Sequence, residues 1–533
     1  MDLTQQLSVA PPTACNVIPH CLQIEEILSL ILENVVECRN NKEVFDRASV
    51  LSVAKTCRRF REPALRSLWK SLYSVVPLLL TMPEDLLERE IPSEWHNIFQ
   101  PRTITFRRPV ISSDWERFDY YAPFVRRLGG MDSLERSPSA FFVMNDVIRH
   151  ALEQRHTVLL PNLRTSVVSS NDLEYTSLFL TPSVHTLCFI MHPKHLQQLS
   201  HLAIKVPLEA ANIKILRLSQ STSWKTQQQA LFAHALAELL RGLDLEVFHC
   251  EWFSLSDEMM TTILGMPSLR ELTACKEALA VSQILEAKPF SKPTIRKFSL
   301  RTHRLSPTSL PTILTNIRPS KLTEFRIRFS SGTCTQDNLC SLILAIASYC
   351  STTSFVNFAL EQEADATNED DALPCPITFD TLKPLFQFSN LRELSLRELS
   401  LMHSFDLSDA EIKEMAQSWP RIEWLCCESS WEDLEPRTTL AGLLWLATYC
   451  RKLESLSYSF TGSGVFPEEL MAPAAGHNLA FLSVGWSRID NPSEVSDFLN
   501  TAFPKLVLLL WGAEPDSVDS EHWQEVQAQI QRS

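Results

Sequence analysis

From about Pro161 onward a short phrase, apolar-x-x-apolar-x-apolar, returns again and again, and it limits what this chain can fold into more than any other feature. Clear copies are Ile213-Lys-Ile-Leu216-Arg-Leu218, Ile295-Arg-Lys-Phe298-Ser-Leu300, Leu322-Thr-Glu-Phe325-Arg-Ile327 and Leu391-Arg-Glu-Leu394-Ser-Leu396. Shorter ones include Leu269-Arg-Glu-Leu272, Leu453-Glu-Ser-Leu456 and Leu506-Val-Leu-Leu509. Most copies lie roughly 24 to 32 residues apart, a spacing that marks stacked repeats. Two-residue alternation turns the later apolar residues of each phrase to one face of a short strand. Amphipathic helices are predicted between the strands. Ala230, Leu231, Ala235, Leu239 and Leu240 share one face, and Leu440–Tyr449 is nearly all apolar. Ser408-Asp-Ala-Glu411 has the form of a capping box ahead of Ile412, Met415, Ala416 and Trp419. One such unit cannot bury its own face, so neighbours must stack into an arc with strands inside and helices outside.

The period is that of leucine-rich repeats. With 11 glycines in 533 residues, the chain has no Walker-type loop, dinucleotide fingerprint or Gly-x-Ser-x-Gly elbow. Within Ser113-Asp-Trp115-Glu116 a second capping box is predicted. It leads a helix bearing Trp115, Phe118, Ala122, Val125 and Leu128, with Gly129-Gly130 as its stop. Ile104 and Phe106 alternate like a short strand. Ser520 to Ile530 reads as a helix that closes the end of the stack.

Ahead of the repeats, Leu22 to Val35 and Leu51 to Trp69 read as short helices, each with one apolar face, and Pro63 marks a break. Such a module is too small to shield itself, so the rest of the chain or another protein must cover it.

The pattern Leu22-x-Ile24-x-Glu26-Ile27-Leu28, then Leu51-x-x-Ala54-x-Thr56-Cys57-x-x-Phe60 and Ala64-Leu65-x-x-Leu68-Trp69, resembles an F-box, most closely those of mushroom-forming fungi. Gln23 stands where many F-boxes have proline. Leu159-Leu-Pro161-Asn-Leu163, Ala416-Gln-Ser-Trp419-Pro420-Arg-Ile422 and Phe503-Pro504-Lys-Leu506 resemble junctions of the same fungal proteins. The resemblance implies an α+β or α/β repeat fold, a three-helix F-box followed by an irregular leucine-rich-repeat solenoid. The expected divisions are a tail over 1–16, an F-box over 17–72, a connecting segment over 73–160, repeats over 161–512 and a capping helix over 513–533. It further implies a substrate-recognition subunit of a Skp–cullin–F-box ubiquitin ligase. Leu22, Ile24, Ile27, Leu28, Ile31, Leu51, Cys57, Phe60, Leu65, Leu68 and Trp69 would dock a Skp-type adaptor, and through it a cullin, while the repeats bind an unknown target protein. A repeat scaffold that joins no ligase, and an enzyme hidden in an irregular α/β domain, are the competing readings.

A net charge of −14 argues against nonspecific nucleic-acid binding. No apolar run reaches the length of a membrane span, and the N-terminus has no signal-peptide pattern. The 14 scattered cysteines, without Cys-x-x-Cys, read as buried thiols of a cytoplasmic or nuclear protein. His192-x-x-His195 and Cys426-Cys427 lack partner ligands, and His234 and the other histidines lack catalytic company. No cofactor, metal, catalytic residue or enzymatic activity of its own is expected. Ubiquitin transfer would fall to other subunits.

Strand alternation places Arg217, Lys297, Arg301, Glu324, Arg326, Arg328, Glu393 and Arg397 on the concave face as a mainly basic stripe, suited to an acidic or phosphorylated segment. Trp424, Phe481, Trp486 and Trp511 are expected to gather at the C-terminal end of that face as target-binding anchors. A solvated charge stripe and aromatics buried beneath the last helix are the bland alternatives. The acidic stretch over 361–372 reads as a solvated loop.

Overall fold

A computed structural model describes residues 24–39, 42–90, 102–130, 142–155, 157–168, 173–192, 196–220, 226–279, 294–305, 309–331, 335–363, 375–397, 403–427, 436–462, 477–512 and 517–530. The chain divides into two compact units, Met1–Leu187 and Cys188–Ser533, with the boundary inside a strand.

The first unit begins with three helices, α1 (Glu25–Glu33), α2 (Arg47–Thr56) and α3 (Arg58–Trp69). A hairpin of Val36–Arg39 and Lys42–Phe45 joins the first two. Asp46 caps α2 by accepting from the Ala48 and Ser49 N–H groups. Helix α3 runs straight through Pro63, contrary to the predicted break. Pro63 is the sixth residue of α3, so its missing N–H leaves the Arg59 carbonyl without its intrahelical donor, a cost set against the burial of its ring. Beyond α3, Ser71–Leu72 pairs parallel with Arg127–Leu128, which pairs parallel with Thr165–Val168. Leu87–Glu90, Arg102–Phe106 and Phe142–Met144 form a separate sheet.

Trp115, Phe118, Ala122, Val125 and Leu128 are all buried, but not along one helix. The segment passes from a 3-10 turn to Glu116–Tyr121, to a second 3-10 turn at Ala122–Phe124, and then to a strand. Pro123 lacks the N–H a helix would need there. The predicted cap is replaced by Asp114, whose Oδ2 accepts from the Ile111 N–H at 2.9 Å and from Arg108 at 2.7 Å. The stop at Gly129 is real: its φ is +87°, and a Cβ there would lie 1.9 Å from the Val167 carbonyl oxygen.

In the second unit, parallel strands alternate with helices. The strands are β1 (Thr186–Met191), β2 (Ile215–Gln220), β3 (Val247–Ser254), β4 (Glu271–Leu279), β5 (Lys297–Leu305), β6 (Glu324–Ser331), β7 (Asn357–Gln362), β8 (Glu393–Arg397), β9 (Trp424–Cys427), β10 (Ser455–Tyr458), β11 (Phe481–Ser483) and β12 (Leu508–Leu510). They follow one another in chain order across the sheet. This is the architecture of an α/β repeat. Register is strict in its middle: Glu271, Lys297, Glu324, Asn357, Glu393 and Trp424 stand side by side. The alternate residues of each strand turn inward, so Phe298, Phe325 and Phe358 stack with centroids 5.6 and 6.3 Å apart. Burying each strand's apolar residues against the next supplies the main driving force, roughly 25 cal/mol per Å² of apolar surface.

The intervening helices pack against that buried side. Asp409–Ser418 begins with the predicted box, in which both the Ser408 N–H and its hydroxyl donate to Glu411. Leu440–Tyr449 is helical as predicted. The last helix, Val518–Ile530, starts slightly before Ser520 and buries Trp523, whose indole N–H donates to the Ser487 carbonyl at 2.8 Å.

Gly129→Ala is expected to cost about 2 kcal/mol or more and to lower the thermal midpoint by several degrees. Gly265→Ala, with nothing within 4 Å of its Cβ position, is its control and should leave the midpoint unchanged or slightly raised. Differential scanning calorimetry of both variants checks this.

At the far end His477 is buried against Phe503, with ring centroids 5.0 Å apart, and its Nδ1 accepts from the Leu479 N–H. Burial pushes its pKa down to about 4. The unfolded chain therefore binds a proton at a higher pH than the folded one. Stability tied to this residue should be full above about pH 6.5 and fall away as pH drops toward about 4. Urea titrations across that range should show a shallower acid loss in His477→Phe than in the parent.

Candidate protein-interaction surfaces

Helix α1 carries more apolar residues than one face can bury. Leu28 and Leu32 turn inward and form a core with Val50, Ala54 and Ala64, lined by Phe60 and Leu68. Ile24, Ile27, Leu30 and Ile31 are left exposed on α1, and Leu51 is exposed on α2. Leu30 retains 61% of its accessible surface. Exposed ion pairs run from α1 to α3, Glu25–Arg66 at 3.2 Å and Glu33–Lys70 at 2.6 Å. Cys57, Phe60, Leu65, Leu68 and Trp69 are half-buried, and the Trp69 ring stacks on Tyr121 at 4.5 Å. The predicted docking residues thus separate. Ile24, Ile27, Ile31 and Leu51 are accessible, whereas Leu28 belongs to the core and Leu22 lies outside the described residues.

The strand face turned away from the helices holds the predicted stripe. Arg326 and Ser299 stand side by side in one column, and Arg301, Arg328, Glu361 and Arg397 in another. The stripe is not mainly basic, because carboxylates answer its arginines. Arg326 lies 2.5 Å from Glu393, 3.6 Å from Glu361 and 3.7 Å from Glu324. Arg328 meets Glu361 at 3.1 Å, and Arg301 meets Glu363 at 2.7 Å. Ser395 donates to Glu361 at 2.9 Å. Two carboxylates of the stretch predicted to be a solvated loop, Glu361 and Glu363, belong to this network instead. The first ends inside β7 and the second just beyond it, both turned onto the arginines, while 364–372 lies outside the described residues. Lys297 and Arg397 are exposed, and Arg217 is exposed on β2.

The four aromatics split into two pairs. Trp424 is 54% exposed and shares a column with the half-buried Phe481, with Ser455 between them. Trp486 and Trp511 lie past the strand ends. Trp511 donates from its indole N–H to Ser520 of the last helix at 3.2 Å, and Gly512 abuts the Trp486 ring. A fifth aromatic escaped the sequence reading. Trp252 on β3 is 51% exposed, with the Arg301 guanidinium 5.3 Å from its ring centroid. Regular alternation hides it, since it sits where β3 leaves register with β4; the run Cys250-Glu-Trp252-Phe-Ser is the only sequence trace.

Burial pushes the Cys250, Cys350 and Cys450 thiols up to about 12, so they stay protonated and unreactive at neutral pH. Cys426 and Cys427 are both buried, and His195 lies outside the described residues. Among the described residues, no group of three or more His, Cys, Asp or Glu side chains is placed to hold a metal ion, and no helix is long and apolar enough to cross a membrane.

What fold and surface chemistry define together is an α/β repeat protein with an exposed apolar helical face and a charge-paired strand face. Neither a protein-family model nor a curated protein matches the sequence. Among solved structures, the chain is similar to one from the Rad7–Elc1 complex of yeast, at 15% identity and a TM-score of 0.39, over 68% of this chain and 81% of that one. It is also similar to LegL7, a leucine-rich-repeat-containing protein of Legionella pneumophila, at 12% identity and a TM-score of 0.21, over 69% of this chain and 91% of that one.

Arg326→Met leaves three carboxylates of a half-buried cluster facing one another, and should cost about 1–3 kcal/mol, discounted for partial exposure. Adding Glu393→Gln in the same chain should recover part of that loss. Urea midpoints of the parent, single and double variants read the coupling.

Proposed function

We propose that the chain is the target-recognition subunit of a Skp–cullin–F-box ubiquitin ligase. In this reading α1–α3 form an F-box that docks a Skp-type adaptor, and the repeats are leucine-rich repeats that hold the target. The observation that carries it is the row Ile24, Ile27 and Ile31, an apolar stripe at helical spacing, left exposed although an inner stripe already completes the module's core. A helical cap serving only its own chain has no use for a second apolar face.

The repeats would contribute proximity. A target held on the strand face is kept at high effective concentration near a transferring enzyme carried by the adaptor and cullin. No catalytic group of this chain is required, and the setting would be the cytoplasm or nucleus, where its free thiols stay reduced. A non-ligase scaffold is the second reading, and adaptor capture separates the two.

Ile27 and Ile31 retain 37% and 45% of their surface, so burying the rest on docking is worth about 1 kcal/mol each, and a buried carboxylate in their place costs more. Ile27→Asp with Ile31→Asp should therefore abolish capture of a Skp-type adaptor in pull-downs from cells, with helicity and melting of the chain unchanged. Leu28→Asp should instead unfold the module, because that residue fills the core. Full capture by the Ile27/Ile31 variant, or no capture by the parent, overturns the ligase reading.

A further inference from the structure

Register between β3 and β4 slips after Cys250: Cys250 faces Ala274, yet the next pair is Ser254 with Cys275. Glu251, Trp252 and Phe253 are the residues in excess. A bulge of this kind bends the strand and re-aims its side chains. Phe253 turns inward and stacks on Phe232 at 4.1 Å, and Trp252 is thrown outward. Its ring comes within 5.3 Å of the Arg301 guanidinium although β4 lies between β3 and β5. Two strand spacings amount to about 9.6 Å, so the indole must reach across β4. It leaves an open ring surface on the strand face.

Two carboxylates near that ring, Glu251 and Glu277, have no described lysine or arginine within ion-pair distance. Arg301, Glu363, Glu251 and Glu277 all act electrostatically on Cys275 of β4. Arg301 is already matched by Glu363 at 2.7 Å, and Arg304 of β5 stands in register with Ala278, one residue past Glu277, without an ion pair to it. Glu251 has His249 at 3.7 Å, but burial holds that imidazole toward its neutral form, with Arg217 on β2 pushing the same way. The buried Lys276 is spent on Asp257. Among the described residues the neighbourhood is thus an exposed indole beside two carboxylates that no lysine or arginine pairs.

We infer that Trp252, Glu251 and Glu277 seat a lysine or arginine side chain of the protein bound on the repeats. The cation lies over the open face of the indole, and its N–H groups donate to the two carboxylates. Aromatic faces attract cations in this way, and a partly desolvated seat strengthens the contact. The inference rests on the proposal that the strand face holds the target. It also reverses the polarity expected from the arginine stripe: the partner segment is basic, not acidic or phosphorylated.

The test is fluorescence anisotropy on the full chain with two labelled peptides of equal length, one of alternating arginine and glycine and one of alternating glutamate and glycine. The arginine peptide should bind and the glutamate peptide should not. Trp252→Ala, and separately Glu251→Gln with Glu277→Gln, should each weaken binding about tenfold. Glu414→Gln with Asp497→Asn, both exposed on helices, is the control for net charge and should change nothing. No binding of the arginine peptide, binding of the glutamate peptide, an unchanged Trp252→Ala variant, or an equal loss in the control overturns the inference. Adaptor capture is measured on the same variants. A chain that binds the arginine peptide through Trp252 yet captures no adaptor refutes the ligase reading and leaves this one standing; capture without peptide binding does the reverse.

Discussion

No strand of the repeat can bury its apolar residues without the next one, and the rest of the second unit depends on that. Phe298, Phe325 and Phe358 are fully enclosed only because three successive strands align in register. The same alignment governs the opposite face. Side chains there stand in columns about 4.8 Å apart, so each charge answers to its neighbour before it can answer to a ligand. Glu271, Lys297 and Glu324 alternate in sign along one such column, and Arg328 and Glu361 along another. An arginine stripe on this sheet is therefore a structural network first. In the proposed reading, recognition falls to a place where the ladder is broken, at Trp252.

The first unit meets its own limit differently. Three short helices cannot enclose a large core, and α1 divides its apolar residues between Leu28 and Leu32 inside and Ile24, Ile27 and Ile31 outside. Packing of Leu28 and Leu32 against Val50, Ala54 and Ala64 sets which stripe is buried, and exposed ion pairs from Glu25 and Glu33 to Arg66 and Lys70 add little. The outer stripe is a consequence of packing that a partner can use.

Much of the architecture was legible in the chain. The strand phrase placed the starts of β5, β6 and β8 within two residues, because apolar alternation and turn spacing both report the same buried face. Ser408 and Glu411 declared their helix through a local motif needing no tertiary context. What escaped reading was set by distant partners. Glu361 and Glu363 look like the start of a solvated acidic run until Arg326, Arg328 and Arg301 stand opposite. The segment 113–128 has helical spacing, yet Pro123 and pairing of Arg127–Leu128 to neighbouring strands divert it. Whether Leu28 or Ile27 faces out is undetermined by spacing alone, since both stripes are apolar.

The central claim is that one chain carries two separate interaction surfaces, an apolar helical face and a strand face. Hydrogen–deuterium exchange of the full chain, alone and with a purified Skp-type adaptor, tests it most directly. The account predicts new protection confined to α1 and α2, with the strands β2–β12 unaffected. Protection spread over the repeat strands, or none anywhere at saturating adaptor, would contradict it.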